Sequence, residues 1–252
     1  MSLLYYRVDI PGMGEEILKV EKLTVEFYGQ KVVEDVNFSL KKGEVLAIVG
    51  PNGSGKSVLF RALLELVPYT GKVVWQKGIK IGYVPQKLAV EKDFPLTAGE
   101  FMTLRGAKPK QEIEKALEDV GLHKKNKGYG WLLDKKLGQL SSGQLQRLLI
   151  ANSLTGKPDV LLFDEPTAGI DIAGEETIYE LFRKLQASIE LTVILISHDL
   201  NAIHDFSDNV LGLNRKQICF GRPHEVLDHK LLHHLYGEDI EHHHHDHDLS
   251  AL

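Results

Sequence analysis

The chain has 252 residues, 43% hydrophobic and 26% charged, with a formal net charge of −5 from 30 basic and 35 acidic side chains. That length supports one α/β domain with a sizeable core, and the acidic balance argues against a nucleic-acid binder working through a broad basic face. A single cysteine, Cys219, excludes an internal disulfide and fits a reducing compartment, while no run of about 18 apolar residues exists to span a bilayer.

Met1 to Gly14 lacks an apolar core flanked by basic residues and does not read as a signal peptide. Ile17–Leu40 alternates apolar and polar residues around Tyr28-Gly29, which predicts antiparallel strands joined by a turn. After the turn Lys41–Glu44 come an all-apolar strand, Val45–Val49, a glycine-rich loop, and a helix through Leu59, Leu63 and Leu66. Val73–Trp75 and Lys80–Val84 read as further strands. From Lys87 to Leu140 helical patterns dominate, as in Gln111–Val120, with a loop-like stretch at Lys124–Gly130. Strand–helix alternation then resumes with helix Gly143–Leu154, strand Val160–Phe163, helix Glu175–Ala187 and strand Thr192–Ile196. This rhythm favours a mostly parallel sheet interrupted by a helical insertion. Glu241–Leu252 is polar and His-rich, the composition of a disordered tail.

Gly50-Pro51-Asn52-Gly53-Ser54-Gly55-Lys56-Ser57 fits the phosphate-loop pattern G-x-x-x-x-G-K-[ST], with a strand before it and a helix after it. Glycines let backbone N–H groups approach phosphate oxygens, and the following helix turns its positive end toward the same anion. Lys56 is placed for the β- and γ-phosphates of ATP and the Ser57 hydroxyl for Mg²⁺. Downstream, the apolar strand Val160–Phe163 ends in Asp164-Glu165. Adjacent side chains at a strand end diverge, so Asp164 suits the Mg²⁺ shell and Glu165 suits a general base on the attacking water.

Leu140-Ser141-Ser142-Gly143-Gln144 precedes Asp164-Glu165-Pro166-Thr167 and resembles the Leu-Ser-Gly-Gly-Gln signature of ABC ATPases. The other motifs of that family follow in order over residues 17–235. Tyr28 resembles the aromatic that stacks on adenine. Gln86, in Tyr83-Val84-Pro85-Gln86, is similar to the Q-loop glutamine that touches Mg²⁺ and the water. Ala168-Gly169-Ile170-Asp171 resembles the D-loop, and His198 the switch histidine on the γ-phosphate. Two positions depart from the family pattern. Ser142 replaces the first signature glycine, where a Cβ would disfavour a positive φ. Val58 follows Ser57 where the family usually has threonine, at the cost of one hydroxyl near the phosphates.

The resemblance implies a P-loop NTPase core with a mostly parallel sheet, an N-terminal antiparallel β subdomain and an inserted α-helical subdomain. As one domain it spans 17–240, with the core at 17–86 and 145–240 and the helical part at 87–144. It also implies a head-to-tail homodimer with two ATP molecules between the signature segment of one chain and the P-loop of the other. A separate integral membrane permease and an extracytoplasmic metal-binding protein complete the implied system, with this chain on the cytoplasmic face of the membrane and no nucleic acid among its partners. Asp93-Phe94-Pro95-Leu96-Thr97, close behind the Q-loop, resembles importers of zinc, manganese and iron complexes. The tail holds five of the twelve histidines, at His242, His243, His244, His245 and His247. Its imidazoles and carboxylates suit Zn²⁺, Ni²⁺ or Cu²⁺, although a solvated tail with incidental metal affinity explains them equally. Zinc is the expected cargo, with manganese or an iron complex next. The alternative is a soluble ABC ATPase with no permease, a repair or assembly factor. Such proteins usually carry long insertions, coiled coils or two cassettes, and none is visible here.

Overall fold

The computed structural model describes residues 15–86, 88, 90–104, 106, 108–123, 128–165, 179–186, 190–227 and 235. Its first elements are β1 (Glu16–Phe27) and β2 (Gln30–Lys41), an antiparallel hairpin in which Phe27 faces Gln30. Tyr28 and Gly29 between them have φ of 52° and 77°. Two consecutive positive φ values make the primed turn whose twist matches the flanking strands. β3 (Val45–Val49) is buried along its whole length and runs into the glycine-rich loop and α1 (Lys56–Leu63). Next come β4 (Thr70–Trp75), antiparallel to β1, and β5 (Ile81–Val84).

The helical stretch contributes α2 (Ala98–Thr103), α3 (Lys110–Asp119), α4 (Gly130–Leu133), a 3₁₀ turn at Leu137–Gln139 and α5 (Ser142–Leu154). β6 (Val160–Asp164), helical residues 179–186 (α6), β7 (Thr192–Ile196) and α7 (Leu200–Phe206) follow. The described chain closes with β8 (Asn209–Asn214), β9 (Lys216–Gly221) and α8 (Pro223–Val226).

The strands stand in the order β4-β1-β2-β9-β8-β3-β7-β6-β5. From β8 to β5 every neighbouring pair is parallel. The antiparallel strands join this half through one parallel bridge, Glu34 with Lys216. β3 alternates between two cores: Val45, Ala47 and Val49 belong to one, Leu46 and Ile48 to the other. Burial on both faces is why β3, β6 and β7 read as unbroken apolar runs. One core joins the sheet to the helical stretch, α6 and α7; the other joins it to α1 and the β1–β2 hairpin.

Most predicted elements match to within a few residues, and the differences have local causes. α1 stops at Leu63, so Leu66 lies outside it and is 66% exposed. Glu65 takes a left-handed φ of 57°, and the Leu66 N–H closes back on Arg61 O at 2.8 Å. That is a helix-ending arrangement, and it carries Leu66 off the apolar face. Helix Gln111–Val120 is α3. Of the expected loop Lys124–Gly130, Gly130 opens α4 and 124–127 lie outside the described residues. The predicted helix Glu175–Ala187 is described, as helix, only over 179–186. The C-terminal tail also lies outside the described residues.

Candidate active site at the ends of the parallel strands

The loop after β3 is shaped by close packing. Gly50 has φ 152°, and a Cβ there would lie 2.0 Å from the Leu213 carbonyl oxygen of β8. At Gly55, φ 101°, a Cβ would meet the Val32 carbonyl at 2.7 Å. Only glycine fits either position. Gly55 caps the N-terminus of α1, which aims that helix at the loop's concavity.

Lys56 is 6% exposed, and its ammonium donates to the carbonyls of Gly50 at 2.7 Å and Pro51 at 3.0 Å. Burial lowers its pKa, opposed by the nearby Glu165 and Asp164 carboxylates. Among the described residues Ser54 Oγ has no hydrogen-bond partner, and it is buried. Ser54 lines a cleft beside Lys56, and the loop's glycine-rich backbone suits an anionic ligand there.

β5, β6 and β7 lie in parallel register, with Val84 beside Phe163 and Asp164 beside Ile196. That register brings their C-terminal ends together next to the loop. The Ser57 hydroxyl donates to Asp164 Oδ1 at 3.2 Å, and the Tyr83 hydroxyl lies 3.5 Å from Oδ2. Burial pushes the Asp164 carboxyl up from its ordinary value, the Ser57 hydrogen bond opposes this, and the neighbouring Glu165 adds to it. Burial likewise raises Tyr83, with the Asp164 charge adding to the effect.

Glu165 has a left-handed φ of 47°, unusual for a side chain with a Cβ, and its N–H is held by Ile196 O at 3.1 Å. Both carboxylate oxygens are occupied. Oε1 lies 2.8 Å from His198 Nε2, and Oε2 accepts from the Gln86 amide. A cleft of about 500 Å³ lies between these groups, lined by residues 52–58, Val32, Gln86, Glu165 and His198.

Ser141 is the N-cap of α5, and a reciprocal capping box ties it to Gln144: its Oγ accepts from Gln144 N–H at 3.2 Å and its own N–H donates to Oε1 of Gln144 at 3.3 Å. Ser142 is the first helical residue, so the positive φ that would have penalised its Cβ is not required. A Cβ at Gly143 would meet no described atom within 4 Å beyond its own helix and chain neighbours. The cleft brings together Asn52 to Val58, Gln86, Glu165 and His198; Ser141–Gln144 and Tyr28 do not line it. Tyr28 stands fully exposed on its turn. Asp171 and the rest of its motif lie outside the described residues. Sequence reasoning missed Tyr83, which it read as part of a strand, and Val32 and Leu213, whose carbonyls wall the loop. Nothing in a one-dimensional pattern marks a carbonyl that leans on a distant glycine.

The family model for the ABC transporter matches residues 33–168. The chain belongs to the ABC transporter family. It is 36% identical over 241 residues to the zinc import ATP-binding protein ZnuC of Pseudomonas syringae pv. syringae (strain B728a), covering 93% of this chain and 89% of that one. Against ZnuC of Yersinia enterocolitica serotype O:8 / biotype 1B (strain NCTC 13174 / 8081), identity is 36% over 242 residues, 92% of this chain and 93% of that one. Among solved structures, cbiO1 of Clostridium perfringens, part of the ABC transporter complex cbiONQ, superposes with a TM-score of 0.72 at 30% identity, covering 86% of this chain and 93% of that one. A chain from an inward-facing ABC transporter, provisionally of metal-chelate type, gives a TM-score of 0.76 at 28% identity over 88% and 89% of the two chains. As an ABC cassette the chain binds and hydrolyses ATP as the ATPase subunit of a transporter, whose translocation path belongs to a membrane permease. Among the described residues no helix is long and apolar enough to cross a membrane.

Proposed function

We propose that this cassette energises the import of zinc, with manganese or an iron complex as the next cargo in order, from the cytoplasmic face of a membrane. The observation that carries the hydrolytic reading is the position of Glu165. Its carboxylate is held at the end of β6 by Gln86 and His198, beside the Ser57–Asp164 pair. The zinc reading rests on the likeness to zinc import ATP-binding proteins over more than nine-tenths of the chain.

In this reading Lys56 exchanges the carbonyls of Gly50 and Pro51 for the β- and γ-phosphates of ATP, and Ser54 Oγ with the N–H groups of residues 52–58 completes the cradle. Ser57, Asp164 and Gln86 would hold Mg²⁺; two oxygen-bearing side chains 3.2 Å apart at Ser57 and Asp164 suit a hard cation. When bound, that ion neutralises charge on the phosphate oxygens. Each Glu165 oxygen keeps a lone pair beyond the one its present partner uses, so the carboxylate can accept a proton from the attacking water, and more readily once a partner lets go. Gln86, one of the residues that would hold Mg²⁺, and His198, placed to turn to the γ-phosphate, are the partners that would let go. The water oxygen then bonds to the γ-phosphorus, the bond to the β-phosphate oxygen breaks with its electron pair leaving on ADP, and the proton resides on Glu165.

A second copy contributes Ser141, Ser142, Gly143 and Gln144, presenting the positive end of its 13-residue helix α5 to the γ-phosphate. Tyr28 stacks on adenine, Val58 flanks the phosphates, and Asp171 of the D-loop belongs to the nucleotide site. The core at 17–86 and 145–240 carries the catalytic groups, and the helical part at 87–144 faces the permease. Exposed Phe94 and Leu104 on that part support the assignment. An extracytoplasmic metal-binding protein delivers the cargo.

The test is to co-purify the chain with the membrane protein encoded beside it and measure ATP hydrolysis in liposomes, with the extracytoplasmic protein present, against zinc concentration. Stimulation by zinc above that by manganese is expected. Hydrolysis indifferent to both the permease and any metal would return the reading to a soluble ATPase.

A further inference from the structure

His198 sits on the connection from β7 to α7, and one of the groups that fix this connection, Tyr179, lies outside the ATP-site motifs. Tyr179, at the described start of α6, is 8% exposed, and its hydroxyl lies 2.7 Å from Ser197 Oγ, which is 3% exposed. Ser197 Oγ also accepts from the Asp199 N–H at 3.1 Å, and Asp199 Oδ1 caps α7 by accepting from Ala202 N–H at 3.0 Å. His198 is thus bracketed by two residues tied to one buried hydroxyl. The Tyr179 ring meets Phe182 and Phe206 edge-on, and Phe182 packs against Phe163 of β6. Such packing leaves the ring little freedom, so its oxygen is a fixed point. The crossover from β6 through α6 to β7 therefore delivers the general base at one end, the anchor in its middle, and the histidine after its last strand.

We propose that Tyr179 is a positioning residue for ATP hydrolysis, acting through Ser197 to fix the turn from which His198 reaches Glu165 and the γ-phosphate. The inference rests on the roles given above to Glu165 and His198. A hydrogen bond between two buried hydroxyls would ordinarily contribute only to stability. Here the loop it fixes carries a reacting group, so losing it also broadens the orientations of that group and slows the chemical step.

The decisive variant is Tyr179→Phe, which deletes one oxygen and keeps the aromatic packing. Steady-state hydrolysis by the full chain should show kcat lowered about three- to tenfold, the range one hydrogen bond spans, with the KM for ATP unchanged within about twofold. Thermal unfolding, followed in parallel, confirms that the variant is folded. Ser197→Ala breaks the same link from the other side and should slow turnover to a similar extent, and the double variant should be no slower than Ser197→Ala alone. In a His198→Ala background, Tyr179→Phe should cost nothing further, because nothing is left to position. Full turnover in Tyr179→Phe, or an equal loss in the presence and absence of His198, overturns the inference. If His198→Ala alone keeps wild-type turnover, the role of His198 fails first, and the positioning inference falls with it.

Discussion

Replacing Glu165 by glutamine preserves the side chain's shape and removes its basicity. A glutamine offers one carbonyl oxygen where the carboxylate offers two, so it can accept from His198 or from Gln86 but not both. The lost contact is a charge-assisted hydrogen bond of about 1.5–3 kcal/mol. The group is partly open to solvent, its side chain 20% exposed, so the net loss of folding stability should be less than about 2 kcal/mol. Catalysis loses far more. General-base assistance contributes about 10²–10⁴ in rate, or roughly 3–5 kcal/mol of barrier. Lys56, Ser54 and the loop amides, proposed above to hold the phosphates, are untouched, so ATP affinity should stay within a few-fold. With binding intact and turnover blocked, the ATP-bound dimer should accumulate. Phosphate release and size-exclusion chromatography with light scattering, both with Mg²⁺ and ATP, read the two effects separately. Turnover within tenfold of the parent chain would refute the assignment of Glu165 as the base.

Three further outcomes are expected. Gly50→Ala puts a methyl 2.0 Å from the Leu213 oxygen at a φ of 152°; strain and overpacking together should cost about 2–6 kcal/mol, and an unchanged urea midpoint would contradict the packing described. Ser142→Gly restores the family residue at a helical position that needs no positive φ; hydrolysis should stay within about twofold and stability fall by no more than about 1 kcal/mol. Asp164→Asn should alter the pH dependence of nucleotide-free stability. Burial raises the Asp164 pKa above 3.8, so the folded chain keeps a proton that the unfolded chain releases. The contribution of that proton is complete below 3.8 and is lost as pH rises through the folded value. The variant should therefore gain stability relative to the parent as pH rises above 3.8, in urea melts, while losing Mg²⁺-dependent hydrolysis. A constant difference at all pH values would deny the burial effect.

Local rules made much of the molecule readable. The phosphate loop was legible because loop, preceding strand and following helix are contiguous and each obeys its own periodicity. The β1–β2 hairpin followed from alternation around Tyr28-Gly29. β8 and β9 were not read. The apolar run of β8 is short, and β9 is only half-buried along most of its length, so neither shows a clean period. The end of α1 was misread because a left-handed Glu65 stops the helix while the leucine spacing continues to Leu66. Ser142 is tolerated in place of glycine because it is the first residue of a capped helix and needs no positive φ, which the motif's residue types alone do not reveal.

The sequence by itself determined which chemical groups this protein carries and in what order: a phosphate loop, a strand-end pair of acids, a glutamine, a signature and a histidine. Tertiary structure decided their partners. Gln86 and His198 stand 79 and 33 residues from Glu165 in the chain, yet both reach its carboxylate. Tyr83 approaches Asp164, and Tyr179 reaches the serine beside His198. The reason is that lateral register in a parallel sheet is set by packing on both faces. Strand ends become neighbours through that packing, whatever their separation along the chain.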